Sequence, residues 1–121
     1  MTSTSRIRIS AIVIFLGIAL GAFGAHGFEE TLEANGRVEN WKTATIYHLI
    51  HGLALFVIST QIRPARGFYF FLAGILLFSG SLYILALTNI TKLGAITPLG
   101  GLCFLIGWCR WIFARNLNDA S

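Results

Sequence analysis

The sequence predicts an all-α polytopic membrane protein, with four transmembrane helices in an up-down antiparallel bundle and both termini cytoplasmic. Three observations predict it. Of the 121 residues, 55% are hydrophobic and only 12% charged, and the mean hydropathy of +0.73 exceeds what a soluble core of this size requires. Four stretches, residues 7–25, 44–62, 68–87 and 93–113, each approach the roughly 20 mainly apolar residues that cross a bilayer at about 1.5 Å per residue. The basic residues fall at their ends: Arg6 and Arg8, Arg63 and Arg66, and Arg110 and Arg115 mark one side, against Arg37, Lys42 and Lys92 on the other. By the positive-inside rule the richer side is cytoplasmic, which suits a multi-pass protein of the inner (plasma) membrane. Residues 1–121 leave no room for a second domain.

The first stretch resembles a secretory signal in its Arg6 and Arg8 and in the small-x-small triplet Ala22-Phe23-Gly24, but its uncharged run over residues 9–25 is longer than the usual hydrophobic region. Gly17, Gly21 and Gly24 stand at i, i+4 and i+7 and give one smooth face for close helix packing. Residues 28–40 form an outer amphipathic segment, with Phe28 and Leu32 four apart, Glu29, Glu30 and Glu33 between and around them, and Asn35-Gly36 as a stop. The segment is expected on the outer membrane surface. Trp41 marks the interface. A tight turn at Arg63-Pro64-Ala65-Arg66-Gly67 makes the second and third helices antiparallel neighbours. Asn89-Ile90-Thr91 matches a glycosylation triplet but reads as a loop, and Pro98 sits near enough to a helix start to be tolerated. Gly80 on the third helix, and Gly101 on a fourth-helix stripe with Gly94, Thr97, Leu105 and Trp108, are further candidate packing positions.

The chemistry, if any, is expected around residues 41–56. His48 and His51 lie roughly 9 and 13 Å along the second helix from its outer end, i and i+3 on one face. Ser81 and Tyr83 on the third helix, Thr97 on the fourth and His26 at the end of the first reach the same outer half. Ionisable residues within a membrane are costly to hold there and point to an interior or a wet cavity. Three roles are open to them: hydrogen bonds that fix the bundle, a site for a small ligand, lipid or proton, and a metal site from His26, His48 and His51. No acid lies inside the membrane, and neither Cys103 nor Cys109 has a base at its depth, so the chain does not read as an enzyme and implies no cofactor. The two cysteines, six residues apart on one helix, read as small apolar groups rather than a disulfide.

The strings GAFGAHG (residues 21–27), WKTATIYHLIH (41–51), GSLY (80–83) and LGAITPLGG (93–101), followed by Gly107-Trp108, resemble the small bacterial inner-membrane proteins of the YgdD and YwdK type. That resemblance implies a four-helix inner-membrane protein of a family of unknown function with eukaryotic transmembrane relatives, and it brings no established site. The expected function is the binding of a small ligand or lipid in a polar pocket of the outer half, through His26, His48, His51, Ser81, Tyr83 and Thr97. The alternatives are a structural or assembly subunit packing through its glycine faces and, more weakly, a proton-linked transporter or metal-binding protein. The expected partners are the lipid bilayer and either a second copy or a larger membrane complex. Nucleic acid is excluded: despite a net charge of +4 and a pI near 9.6, the nine Lys and Arg line no single face.

Overall fold

The computed structural model describes residues 1–61 and 66–116, with Arg66 by its backbone alone. The expected turn over Arg63, Pro64 and Ala65 lies outside the described residues. Thr2 opens α1 (Ser3–His26) by accepting the Ser5 amide on its hydroxyl at 3.1 Å. The outer segment, residues 28–40, holds α2 (Glu29–Asn35), which ends where Gly36 adopts a left-handed φ of 67° and the Arg37 amide reaches back to the Leu32 carbonyl at 2.8 Å, and the segment's last three residues already belong to the next helix.

The next helix, α3 (Val38–Ser59), begins before the expected residue 44, because Glu39 and Lys42 extend it beyond the apolar run as an exposed i,i+3 pair. The third stretch is one continuous rod of three pieces: α4 (Arg66–Gly74), a π-helical segment Ile75–Ser79, and α5 (Gly80–Thr88). Asn89, at φ 57°, caps α5 in the left-handed conformation that Asn tolerates, so the glycosylation-like triplet does duty as a helix stop. A 3₁₀ turn, Thr91–Ala95, then leads into α6 (Thr97–Ile112), with Pro98 in its first turn.

Three of these rods are long and apolar enough to cross a membrane: Ser3–His26, Gly67–Thr88 and Thr91–Ile112. Helix α3 has 22 residues, as each of the last two does, but Lys42, His48 and His51 make it the most polar of the long helices. Successive long helices run antiparallel and pack in the order α1, α3, α4–π–α5, α6. Among the described residues α6 and α1 have no comparable interface, so the row is open, without the closure of a four-sided bundle.

Two devices hold the row together. Along the α1–α3 seam Gly17 faces Leu49 and His48, Gly21 faces Thr45, and Gly24 faces the Trp41 indole, whose N–H donates to the Leu20 carbonyl at 2.8 Å. At the other end of the seam Ser10 and Ser59 share a hydrogen bond of 2.9 Å. Arg6, expected only as a topology signal, is 3% exposed and donates to Ser3. Between α6 and the rod it packs on, phenylalanines seat in glycine notches: Phe104 at Gly74, the Phe78 backbone at Gly100, and Phe71 at Gly107. Such close backbone approach is what drives association where lipid supplies no hydrophobic difference.

Two expected packing positions fall off these seams. A Cβ at Gly80 would meet only the Ile75 carbonyl at 4.0 Å, and one at Gly101 only the Phe78 ring edge at 3.8 Å. The reason is rotational phase, which puts Gly100 and Gly107 on the contact face of α6 and leaves Gly94 open. Gly24→Ala should therefore lower stability in detergent by about 1–2 kcal/mol, since the indole that must retreat is pinned. Gly80→Ala should change it by less than about 0.5 kcal/mol, and comparable losses for the two variants in reversible unfolding would contradict this assignment.

Candidate functional site

The outer segment does more than lie on a surface. Leu32 of α2 is 1% exposed and packs with Trp41, Leu82, Tyr83, Leu85 and Ala86, closing this end of the helices. The Asn35 amide donates to the Ala86 and Leu87 carbonyls at 2.9 and 3.3 Å, and Arg37 Nε donates to Asn89 Oδ1 at 2.9 Å. The last carbonyls of α5 thus find partners in the α2 loop, which ties that loop across the helix ends.

Beneath this cover the residues singled out from sequence fall into three separate arrangements rather than one cluster. His48 lies between α1 and α5: its Nε2 is 2.8 Å from the Val13 carbonyl and its Nδ1 2.9 Å from the Tyr83 hydroxyl. A carbonyl only accepts, so Nε2 carries a proton, while Nδ1 faces the Tyr83 hydroxyl, which also donates to Thr45 Oγ1 at 3.4 Å. His51 faces α6 instead. Its Nδ1–H donates to the Tyr47 carbonyl at 2.8 Å, its Nε2 accepts the Trp108 indole N–H at 2.9 Å, and its ring stacks on Phe104 with centroids 3.6 Å apart. His51 is therefore held as the neutral Nδ1–H tautomer by two partners with fixed roles, whereas for His48 the Val13 carbonyl fixes only a proton on Nε2.

Ser81 and Thr97 form the third arrangement. Ser81 donates to the Phe78 carbonyl at 2.9 Å, so the Thr97 hydroxyl donates to Ser81 at 2.6 Å. Ser79 donates to the Ala44 carbonyl at 2.8 Å from within the π segment. The Ser81 bond serves a carbonyl of the π segment, where the α-helical ladder is broken, and the Ser79 bond ties that segment to α3. His26 is exposed in the last turn of α1, and no described residue hydrogen-bonds to its side chain. It is not brought to His48 or His51, and no group of three His, Cys, Asp or Glu able to hold a metal occurs among the described residues.

What sequence reasoning missed lies nearer to α2. A groove of about 600 Å³ runs between α1, α2 and α3, floored by Gly21 and Gly24, walled by Trp41 and Ile46, and rimmed by Glu29, Glu33 and Lys42. The i, i+4 spacing of Glu29 and Glu33 was visible in the sequence, but that this face looks across a groove to Lys42 was not. A second groove, about 680 Å³, lies over Tyr47, His51, Phe104 and Trp108 and is largely apolar, so His51 lines this groove rather than the first.

Long apolar helices, polar groups spent on inter-helix hydrogen bonds and a wide apolar exterior define an integral membrane protein of the helical class. Residues 20–101 match the family described as protein of unknown function DUF423. The chain is 44% identical over 115 residues to the UPF0382 membrane protein YwdK of Bacillus subtilis (strain 168), covering 89% of this chain and 93% of that one. It is 42% identical over 113 residues to a UPF0382 membrane protein of Staphylococcus epidermidis (strain ATCC 12228 / FDA PCI 1200), covering 89% and 92%. It belongs to this family of membrane proteins of unknown function. No solved structure matches it.

Proposed function

We propose that the protein crosses the plasma membrane four times with both termini cytoplasmic, and binds a membrane amphiphile in the outer groove between α1, α2 and α3. The observation that carries this reading is the groove itself: about 600 Å³, of the size of small-ligand sites, lined mostly by apolar residues together with Thr45 and the exposed charged groups Glu29, Glu33 and Lys42. The distribution of Lys and Arg supports the orientation. In this reading His48 and His51 build the helix row and do not touch the ligand, because all four of their ring nitrogens already have partners. Assembly through the α1 glycine face has less support, since Gly17, Gly21 and Gly24 are covered by α3 of the same chain.

The test is a plug. Ile46 lines the groove and is 55% exposed, so Ile46→Trp should fill the site without disturbing the core, while Ile50→Trp, 53% exposed and outside this groove, serves as control. Native mass spectrometry of gently solubilised protein should show a bound amphiphile lost from Ile46→Trp and retained by Ile50→Trp. An identical complement on both variants would overturn the reading.

A further inference from the structure

Resting on the groove as a binding site, we infer that its occupant is an aminophospholipid: an ammonium headgroup held by Glu29 and Glu33, with the adjoining phosphate at Lys42. Glu29 and Glu33 stand one turn apart on α2 and share a face, so both carboxylates reach the same side of the groove. Among the described residues neither has a salt-bridge partner. The cation lining the groove is Lys42, on α3 across from them, and it is paired with Glu39 at 3.4 Å. That pair is well exposed at both ends, 64% and 86%, which makes it weak and leaves the ammonium of Lys42 able to take a second anionic partner.

The rim is therefore acidic on one wall and basic on the other, with carboxylates in excess. A ligand matching it needs a cation toward α2 and an anion toward α3. It also needs an apolar portion for the interior walled by Trp41, Val38 and Ile46. An anionic glycerophospholipid would bring its phosphate to the same rim without a cation for the two carboxylates. A choline headgroup has the cation but no N–H to donate, whereas a primary ammonium has three donors for two carboxylates. An alkylammonium would satisfy α2 and leave Lys42 without its phosphate. The fold gives the arrangement a fixed span, because α2 is tied to the end of α5 through Asn35 and to the core through Leu32.

The experiment titrates the full-length protein in detergent with phosphatidylethanolamine, phosphatidylcholine, phosphatidylglycerol and dodecylammonium, reading bound lipid by native mass spectrometry. Phosphatidylethanolamine is expected to outcompete phosphatidylglycerol about tenfold. The double variant Glu29→Gln/Glu33→Gln should bring that ratio within about twofold while total lipid binding persists, and Lys42→Met should weaken phosphatidylethanolamine to the level of dodecylammonium. Equal or tighter phosphatidylglycerol binding by the wild type, or an unchanged ratio in the double variant, would overturn the headgroup assignment. Dodecylammonium binding as tightly as phosphatidylethanolamine would overturn the phosphate contact. If no lipid of any headgroup distinguishes the wild type from Ile46→Trp, the groove reading itself fails, which is a separate outcome.

Discussion

Gly100→Ala should lower the unfolding free energy in detergent by about 2–3 kcal/mol net, the largest effect expected from adding one methyl group to this chain. At most of the other glycine seams the incoming Cβ would meet a side chain, which has rotamers into which to withdraw. At Gly100 it meets the main chain: the amide nitrogen and Cα of Phe78, the latter 2.7 Å away. Phe78 lies within the π segment, so its backbone position is set by a distortion of the helix ladder that Ser81, donating to the Phe78 carbonyl, helps to hold. Relief would require α6 to move off the rod along its length, opening the notches at Gly74 and Gly107 as well. Alanine's higher helix propensity, worth about 1 kcal/mol, offsets part of this and is included in the net figure. Gly94→Ala is the control, since its Cβ would meet nothing within 4 Å, and it should leave stability within about 0.5 kcal/mol. Steric trapping or SDS titration of the two variants checks the contrast, and a Gly100→Ala protein as stable as wild type would contradict the close approach of α6 to Phe78.

That glycine also shows where sequence reading stops. The α1–α3 seam was legible because Gly17, Gly21 and Gly24 are spaced along a helix that is otherwise large and apolar, and the small face has nowhere else to go. At the fourth helix the same logic selected the stripe Gly94, Thr97, Pro98, Gly101, Leu105 and Trp108; Thr97 and Trp108 do reach Ser81 and His51, but the closest backbone approaches are at Gly100 and Gly107, beside Phe104. A helix in lipid is apolar on its outside as well as its inside, so no polar face fixes its rotation. The phase is set instead by the 3₁₀ turn before α6 and the π segment opposite it, neither of which composition reveals.

Depth was the easier coordinate. Tyr83 is indeed at the level of His48, and Ser81 at that of Thr97, because counting residues along a helix gives height directly. Direction around the axis was not available in the same way. Positions i and i+3 differ by about 60°, enough for His48 to face α1 and α5 while His51 faces α6. The outer groove was hidden for a further reason: it depends on α2 folding back over the helix ends, a tertiary event held by Leu32 and Asn35.

His51→Ala should be the more damaging of the two histidine truncations, lowering stability by about 2–3 kcal/mol against about 1–2 kcal/mol for His48→Ala. The difference follows from what each leaves behind. Without His48, the Tyr83 hydroxyl keeps Thr45 Oγ1 as its acceptor at 3.4 Å, and the Val13 carbonyl remains within the α1 backbone ladder. Without His51, the Trp108 indole N–H has no second acceptor among the described residues, and Phe104 loses the ring stacked on it at 3.6 Å. Hydrogen bonds between membrane helices average only about 0.6 kcal/mol, so the bond alone would not separate the variants, and the aromatic stack, worth about 0.5–1.5 kcal/mol, supplies much of the difference. A double-mutant cycle isolates the bond: Trp108→Phe should cost about 1 kcal/mol in the wild type and almost nothing beside His51→Ala. Both histidine variants should keep whatever lipid the wild-type protein binds in the outer groove, because neither imidazole lines it. Loss of that lipid from a folded His48→Ala or His51→Ala protein would return the histidines to the binding site and displace the groove from its proposed role.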